Sequence, residues 1–363
     1  MKLFYALLLP GAMAAQAWVP QSSGTTASLR GVHAVSARVV WASGTGGTFL
    51  RTADGGVRWH AAQVPGAEDL DFRAVWAIDE RRAFLLSIGN GEKSRIYKTV
   101  DGGEHWRLLF TNPDEKGFLD GLAFWDTAHG MALGDPVGGH FVVLVTEDGG
   151  EHWQRRETPP ALEGEGAFAA SNTSMALAGN SEVWFGTGGP GGARVFHSRD
   201  AGRTWSVQPT PVRNDGASAG IFSLAFADVL HGMAVGGDYS KPGEKTKNLA
   251  VTADGGETWS APIGQPPAGF RSAVASLPDR HAWIAAGTSG SDIFIDGGMG
   301  WRHFDPGDFN AVSFISSGAG WAVGPRGRVA RFRWLFRLGQ GRGLGTGNVQ
   351  LLSTDGQVHY CSR

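Results

Sequence analysis

The segment Thr99-Val100-Asp101-Gly102-Gly103-Glu104-His105-Trp106 recurs along the chain, at residues 52–59, 146–153, 198–205 and 252–259. A degraded copy at residues 294–301 has lost the leading hydroxyl. Its composition describes a tight turn. Asp accepts bonds from backbone N–H groups further along the turn, and the Ser or Thr hydroxyl braces the same loop. Gly takes a positive φ without strain, and the Trp three residues beyond it folds back over the next strand to bury a large surface. Asp54, Asp101, Asp148, Asp200, Asp254 and Asp296 are therefore expected to be structural turn residues, not a site.

Successive aspartates lie 47, 47, 52, 54 and 42 residues apart, a period that belongs to propellers and other arrays. Other pieces repeat in phase. Residues 122–134 are matched by 224–236, and Trp41, Trp184, Trp283 and Trp321 each lead a short strand of small residues ending in Gly. Every repeat then reads as four strands with the octapeptide turn between the third and fourth. First strands are expected near Leu29, Phe72, Leu119, Phe168, Phe222, Phe270 and Phe309. The expectation is an all-β, seven-bladed β-propeller of four-stranded antiparallel blades, closed so that open edges are shielded. The seventh unit lacks a good octapeptide. Its outer strand is expected from Trp18-Val19-Pro20-Gln21, with residues 351–360 as the alternative.

Composition narrows the function. The 363 residues include 56 Gly and 14 Trp, with Lys+Arg 32 against Asp+Glu 34. That balance excludes a generally basic nucleic-acid binder. The single Cys, Cys361, allows neither an intramolecular disulfide nor a cysteine zinc site. Residues 1–17 read as an export signal: Lys2 is the positive start, residues 3–9 the apolar run, and Ala15-Gln16-Ala17 the small-residue cleavage pattern. The expected organisation is a signal over 1–17, the propeller over 18–334 and a loosely ordered Gly- and Arg-rich tail over 335–363. The expected location is periplasmic or secreted. No later run is long and apolar enough for a membrane-spanning helix.

Chemistry is expected on the face opposite the octapeptide turns, where loops enter first strands and join second to third strands around the channel. The ligand-binding candidates there are Arg30, Arg73, Asp120, Asp135, Asn172, Asp238, Tyr239 and Arg271, with Asn310, Glu163 and Glu165 nearby. Arg30, Arg73 and Arg271 converging on one mouth would favour a carboxylate or another anion. No metalloprotease, serine-hydrolase or P-loop motif is present, so no cofactor, metal or catalytic residue is assigned.

The stretch from Trp18 to about Arg333 resembles the seven-bladed family of photosystem II stability/assembly factors and their relatives in non-photosynthetic bacteria. The resemblance lies in the Thr-x-Asp-Gly-Gly-x-x-Trp turns, known as Asp-box or BNR repeats, and in second strands such as Gly320-Trp321-Ala322-Val323-Gly324. It implies a non-enzymatic protein that holds a polypeptide, in the photosynthetic members a partly assembled membrane protein, through a basic, Arg-bearing surface; a monomer is expected. The same repeat is shared with sialidases. The alternative is accordingly a sialidase-like glycoside hydrolase with a glycan ligand, using Arg30, Arg73 and Arg271 as a carboxylate-binding cluster and Tyr239 as the channel-facing tyrosine. Ile-Pro, which that family places after its first Arg, follows neither Phe72-Arg73 nor Phe270-Arg271.

Overall fold

A computed structural model of the chain describes residues 14–295, 300–337, 349–353 and 358–361. Seven antiparallel sheets form the blades of a propeller. Blade 1 comprises Leu29–Ala34, Val40–Gly44, Thr48–Thr52 and His60–Gln63; blade 2 comprises Asp71–Ala77, Ala83–Ile88, Arg95–Thr99 and Arg107–Thr111. Blade 3 uses Leu119–Phe124, Gly130–Val137, His140–Thr146 and Gln154–Arg156. Blade 4 uses Met175–Ala178, Glu182–Gly186, Arg194–Ser198 and Ser206–Pro209. Blade 5 has Ala219–Phe226, Gly232–Asp238 and Leu249–Thr252, its fourth strand reduced to a single bridge between Val251 and Ser260. Blade 6 has Ala273–Leu277, Ala282–Gly287, Gly290–Ile295 and Arg302–Asp305, and blade 7 begins with Ala311–Phe314, Gly320–Val323 and Val329–Arg337.

Burial runs from axis to rim. Val40–Gly44 is buried at every residue, whereas His60–Gln63 is partly or fully exposed. The apolar residues therefore pack between neighbouring blades, and the second-strand tryptophans tie one blade to the next. Trp41 Nε1 donates to the Asp79 carbonyl of blade 2 at 3.0 Å, and Trp184 Nε1 to the Gly255 carbonyl of blade 5 at 2.8 Å.

The octapeptide turns follow their side-chain chemistry. In blade 1, Thr52 Oγ1 donates to Asp54 Oδ1 at 2.9 Å and accepts the Gly56 N–H at 2.9 Å, while Arg58 N–H reaches the same carboxylate at 2.9 Å. Equivalent bonds form around Asp101, Asp148, Asp200 and Asp254. The backbone N–H of His105, followed by its ring, holds the Asp101 carboxyl at about 2. Gly55 and Gly56 both have positive φ, which the turn requires. Asp296 lies outside the described residues.

The ring closes through the N-terminus. Ala14–Gln21 pairs antiparallel with Val329–Arg337, with Trp18 opposite Phe332. Trp18 packs among Phe304, Phe309, Phe314 and Phe332, with ring centroids 5.2–6.2 Å away. Its Nε1 donates to Ser291 Oγ of blade 6 at 3.0 Å. Gln21 donates to the Gly55 carbonyl and accepts from Trp59 Nε1, both at 3.1 Å. One strand thus joins blades 6, 7 and 1. The expected cleavage point after Ala17 falls within it, and residues 1–13 lie outside the described residues.

Two boundaries differ from expectation. Blade 4 begins its first strand at Met175, seven residues beyond Phe168, because the intervening segment enters the channel. The seventh sheet also continues past residue 334. Val349–Ser353 pairs with the end of Val329–Arg337, and Val358–Cys361 pairs with Val349–Ser353. Those strands extend the sheet where a loose tail was expected.

Candidate functional site

Four backbone hydrogen bonds carry one register around the hub. Leu29 N–H donates to Gly324 O, Ile221 to Thr187 O, Arg271 to Gly236 O and Phe309 to Gly287 O, at 3.0–3.3 Å. Each links the first inward residue of a blade to the second-strand end of the blade before it. In blades 1, 2, 3 and 5 the register then shifts by one residue, at Arg30, Arg73, Asp120 and Phe222. A bulge of this kind re-aims a side chain that the regular pleat would send elsewhere. All four residues line a mouth of about 460 Å³, together with Ser272 and Asn310, the residues that follow the register-setting Arg271 and Phe309.

Arg271 is therefore not at the mouth. It occupies the inward position held by Leu29 and Phe309 in their blades and is fully buried. Arg271 Nε donates to Asp292 Oδ2 at 2.6 Å, and its Nη1 to the Phe270 carbonyl and Ser289 Oγ at 2.6 and 2.8 Å. A buried guanidinium held this way braces the loops of blade 6. The likeness of Phe72-Arg73 to Phe270-Arg271 is offset by one residue in the fold, and a one-residue offset reverses the facing of a side chain. The three-arginine cluster reduces to Arg30 and Arg73.

A segment from blade 4 closes the channel beneath this mouth. Asn172, at φ 63, accepts the Leu122 N–H of blade 3 at 2.8 Å and donates to the Val75 carbonyl of blade 2 at 3.3 Å. Ser171 Oγ donates to the Ser272 carbonyl of blade 6 at 2.7 Å, and Thr173 Oγ1 lies 2.7 Å from Ser223 Oγ of blade 5. Asn172 is thus part of the floor's anchorage and does not line the mouth. Residues 167–170 of the same segment line the mouth.

Charges crowd one side. Arg73 Nε pairs with Asp71 at 2.9 Å, and its Nη1 donates to the Ala169 carbonyl of the plug at 3.0 Å. The Arg30 side chain makes no hydrogen bond or ion pair with the described residues. Burial, then the Arg73 charge beside it, lowers its pKa to about 10, with Asp71 and Asp308 acting in the opposite direction. Asp120 is buried, and burial followed by the nearby Asp135 raises its pKa well above the usual carboxylate range. Asp135 is also raised by burial, and its Oδ1 accepts the Ala167 N–H at 2.9 Å.

Aromatic rings crowd the other side. Phe168 and Phe222 stack at 3.8 Å, and Phe270 meets Phe222 edge-on at 4.8 Å. Tyr239 stands against Phe222 at 6.0 Å and is 54% exposed. Asp238, next to it, lies outside the mouth lining and caps the following loop, accepting the Ser240 N–H and Oγ–H at 2.9 and 2.6 Å. Burial opposes its charge, yet the Ser240 and Ser218 hydroxyls hold its carboxyl at about 2.

The structure therefore brings together Arg30, Arg73, Asp120, Asp135 and Tyr239, and it places Asn172, Asp238 and Arg271 in supporting roles. Sequence reasoning misses the aromatic shelf, because in the linear pattern Phe168, Phe222 and Phe270 mark only first-strand entries. Chemically, the mouth offers a corner where Arg30 and Arg73 meet Asp120 and Asp135, beside an apolar wall. Its lining contains no histidine, cysteine or lysine. Among the described residues, no cluster of three or more His, Cys, Asp or Glu could hold a metal ion.

No protein-family model and no curated protein matches the sequence. Solved structures share the fold at low identity. A structure described as YCF48 bound to D1 peptide aligns at TM-score 0.62 and 18% identity, covering 87% of this chain and 96% of that one. YCF48 from Cyanidioschyzon merolae aligns at 0.59 and 18%, covering 88% and 98%. A streptogramin B lyase structure aligns at 0.60 and 10%, also covering 88% and 98%. Binding proteins and an enzyme share this architecture, so function has to be argued from the mouth.

Proposed function

We propose that this protein is an exported, non-catalytic propeller that binds a polypeptide segment at its channel mouth, in the manner of an assembly or stability factor. The observation that carries the reading is the Arg30 guanidinium. It is unpaired among the described residues and stands beside Arg73, opposite the stacked Phe168 and Phe222. A cation with no partner in a half-enclosed site favours an anionic group on the ligand, and the aromatic shelf favours an apolar side chain next to it. A peptide with an acidic residue flanked by an apolar one offers both. The peptide-bound YCF48 structure supports a polypeptide ligand on this architecture. The turn repeats are read as Asp-boxes with a scaffolding role, and residues 1–17 as the export signal.

The test is capture from envelope extract by immobilised protein. Arg30→Glu is the informative variant, since the Arg30 side chain makes no hydrogen bond with the described residues that its loss would break. The wild type should retain a specific polypeptide that Arg30→Glu releases. Equal capture by both would sink the reading. Saturable turnover of aryl sialosides, abolished by Tyr239→Phe, would replace it with the glycosidase alternative.

A further inference from the structure

Blade 5 stops one strand short, and its register explains why. Val251 and Ser260 exchange both backbone hydrogen bonds at 2.9 Å. On the inner side, Gly236 N–H donates to the Asn248 carbonyl at 3.0 Å. Because bonding direction alternates along a strand, Leu249 aims its N–H and C=O outward, as Val251 does. The antiparallel register of Val251 with Ser260 puts residue 262 opposite Leu249. That residue is Pro262, which has no N–H to give. The chain departs there towards blade 6, where Trp301 N–H bonds the Gln265 carbonyl at 2.9 Å. Among the described residues, nothing pairs with the outward backbone groups of Leu249.

A groove of about 920 Å³ occupies the vacated place, walled by residues 210–215, 244–249 and 261–266. Its inner surface includes Val212, Leu249 and Pro262. On its rim Arg213 pairs with both Asp215 at 2.7 Å and Glu244 at 2.6 Å, a trio carrying one net negative charge that Lys245 and Lys247 outweigh. Lys245 and Lys247 are exposed and have no ion-pair partner among the described residues. Lys247 is also held at φ 52, a left-handed conformation costly for a lysine.

We propose that this groove takes an extended, acidic polypeptide segment of a partner, bonded to the outer edge of blade 5 at Leu249, between the Arg213–Lys247 and Val251–Ser260 backbone contacts. The segment's backbone would bond Leu249, its carboxylates would face Lys245 and Lys247, and an apolar side chain would rest against Val212 and Pro262. Main-chain pairing at an exposed sheet edge, with side-chain contacts setting selectivity, is a recurring mode of peptide recognition. The groove is separate from the mouth and does not depend on the mouth's function.

The experiment uses the full chain with two fluorescein-labelled probes, Glu-Val-Glu-Val-Glu and Lys-Val-Lys-Val-Lys, read by anisotropy and by hydrogen exchange at the Leu249 amide. The acidic probe should bind and slow Leu249 exchange, and the basic probe should do neither. Lys245→Glu/Lys247→Glu should weaken acidic binding by about tenfold or more. Pro262→Val restores the missing N–H, lets the blade's own chain cover the edge, and should abolish binding. Arg30→Glu should leave it unchanged. The proposal falls if the acidic probe does not bind, binds without protecting Leu249, or binds Pro262→Val as well as wild type. Loss of the acidic probe in Arg30→Glu alone would place it in the mouth, overturning the groove while favouring the mouth reading.

Discussion

Ala201 stands where the other octapeptide turns have glycine, at φ 56. The left-handed conformation costs an L side chain about 1–2 kcal/mol, partly offset by the greater unfolded-state entropy of glycine. Ala201→Gly should therefore stabilise the protein by about 0.5–1 kcal/mol, seen as a higher urea midpoint at unchanged slope. His33 makes the opposite kind of prediction. Its Nδ1 accepts the Ala77 N–H at 2.9 Å, and its ring stacks on Trp76 at 4.3 Å. Burial lowers its pKa from 6.5 to about 4. Above pH 6.5 neither the folded nor the unfolded state protonates this ring. Between 6.5 and 4 the unfolded state takes the proton first, so stability falls as pH drops through that window, by up to about 3 kcal/mol. Urea midpoints at pH 7 and pH 4.5 should differ less in His33→Asn than in the wild type. An identical pH dependence would exclude this origin.

At the scale of elements, the N-terminal strand matters most. A propeller with an open seventh blade would expose the edge of Val329–Arg337 and the aromatic cluster around Trp18. Trp18 is 6% exposed and touches four phenylalanines. Trp18→Ala should cost about 3–5 kcal/mol, measured as a lowered denaturation midpoint. Trp18→Phe should recover much of the packing while losing the bond to Ser291. If Trp18→Ala melted like the wild type, this strand would not be the ring's closure. The octapeptide turns behave differently at their centre, where the Ser or Thr hydroxyl and the Asp carboxylate bond within the turn, although neighbouring elements reach the outer carbonyls of Gly55 and Gly255.

For the whole molecule, the plug from blade 4 is the coupling device, touching blades 2, 3, 5 and 6. Asn172→Ala removes two hydrogen bonds and puts alanine at φ 63, which together should cost about 3 kcal/mol. The Leu122 amide, whose acceptor is Asn172 Oδ1, should exchange faster, while amides of the octapeptide turns keep their protection. Asn172→Gly separates the causes, since it loses the bonds but tolerates the backbone. Unchanged Leu122 exchange in Asn172→Ala would mean that the plug does not hold the blades together. The same segment closes the hub beneath the mouth, so anything bound at the mouth meets residues 167–170.

The octapeptides, their spacing and the tryptophan-led second strands made the all-β propeller, its seven blades and its N-terminal closure legible in the linear chain. That information is local: a turn needs Asp, Gly and a hydroxyl at set positions, and a strand buried between blades needs small and apolar residues. The mouth was legible only in part. Arg30, Arg73, Asp120, Asp135 and Tyr239 lie where loop placement put them, but Arg271 does not. Its facing depends on a one-residue register that Phe270-Arg271 cannot reveal, and the bulges that aim Arg30 and Phe222 arise in the pairing of each first strand with the next strand of its own blade, where no residue type marks them. The plug was illegible because Ser171, Asn172 and Thr173 find their partners 50 to 101 residues away. Hydrogen bonds between residues that distant exist only once the ring has formed, and so the tertiary structure alone decided which side chains meet at the hub.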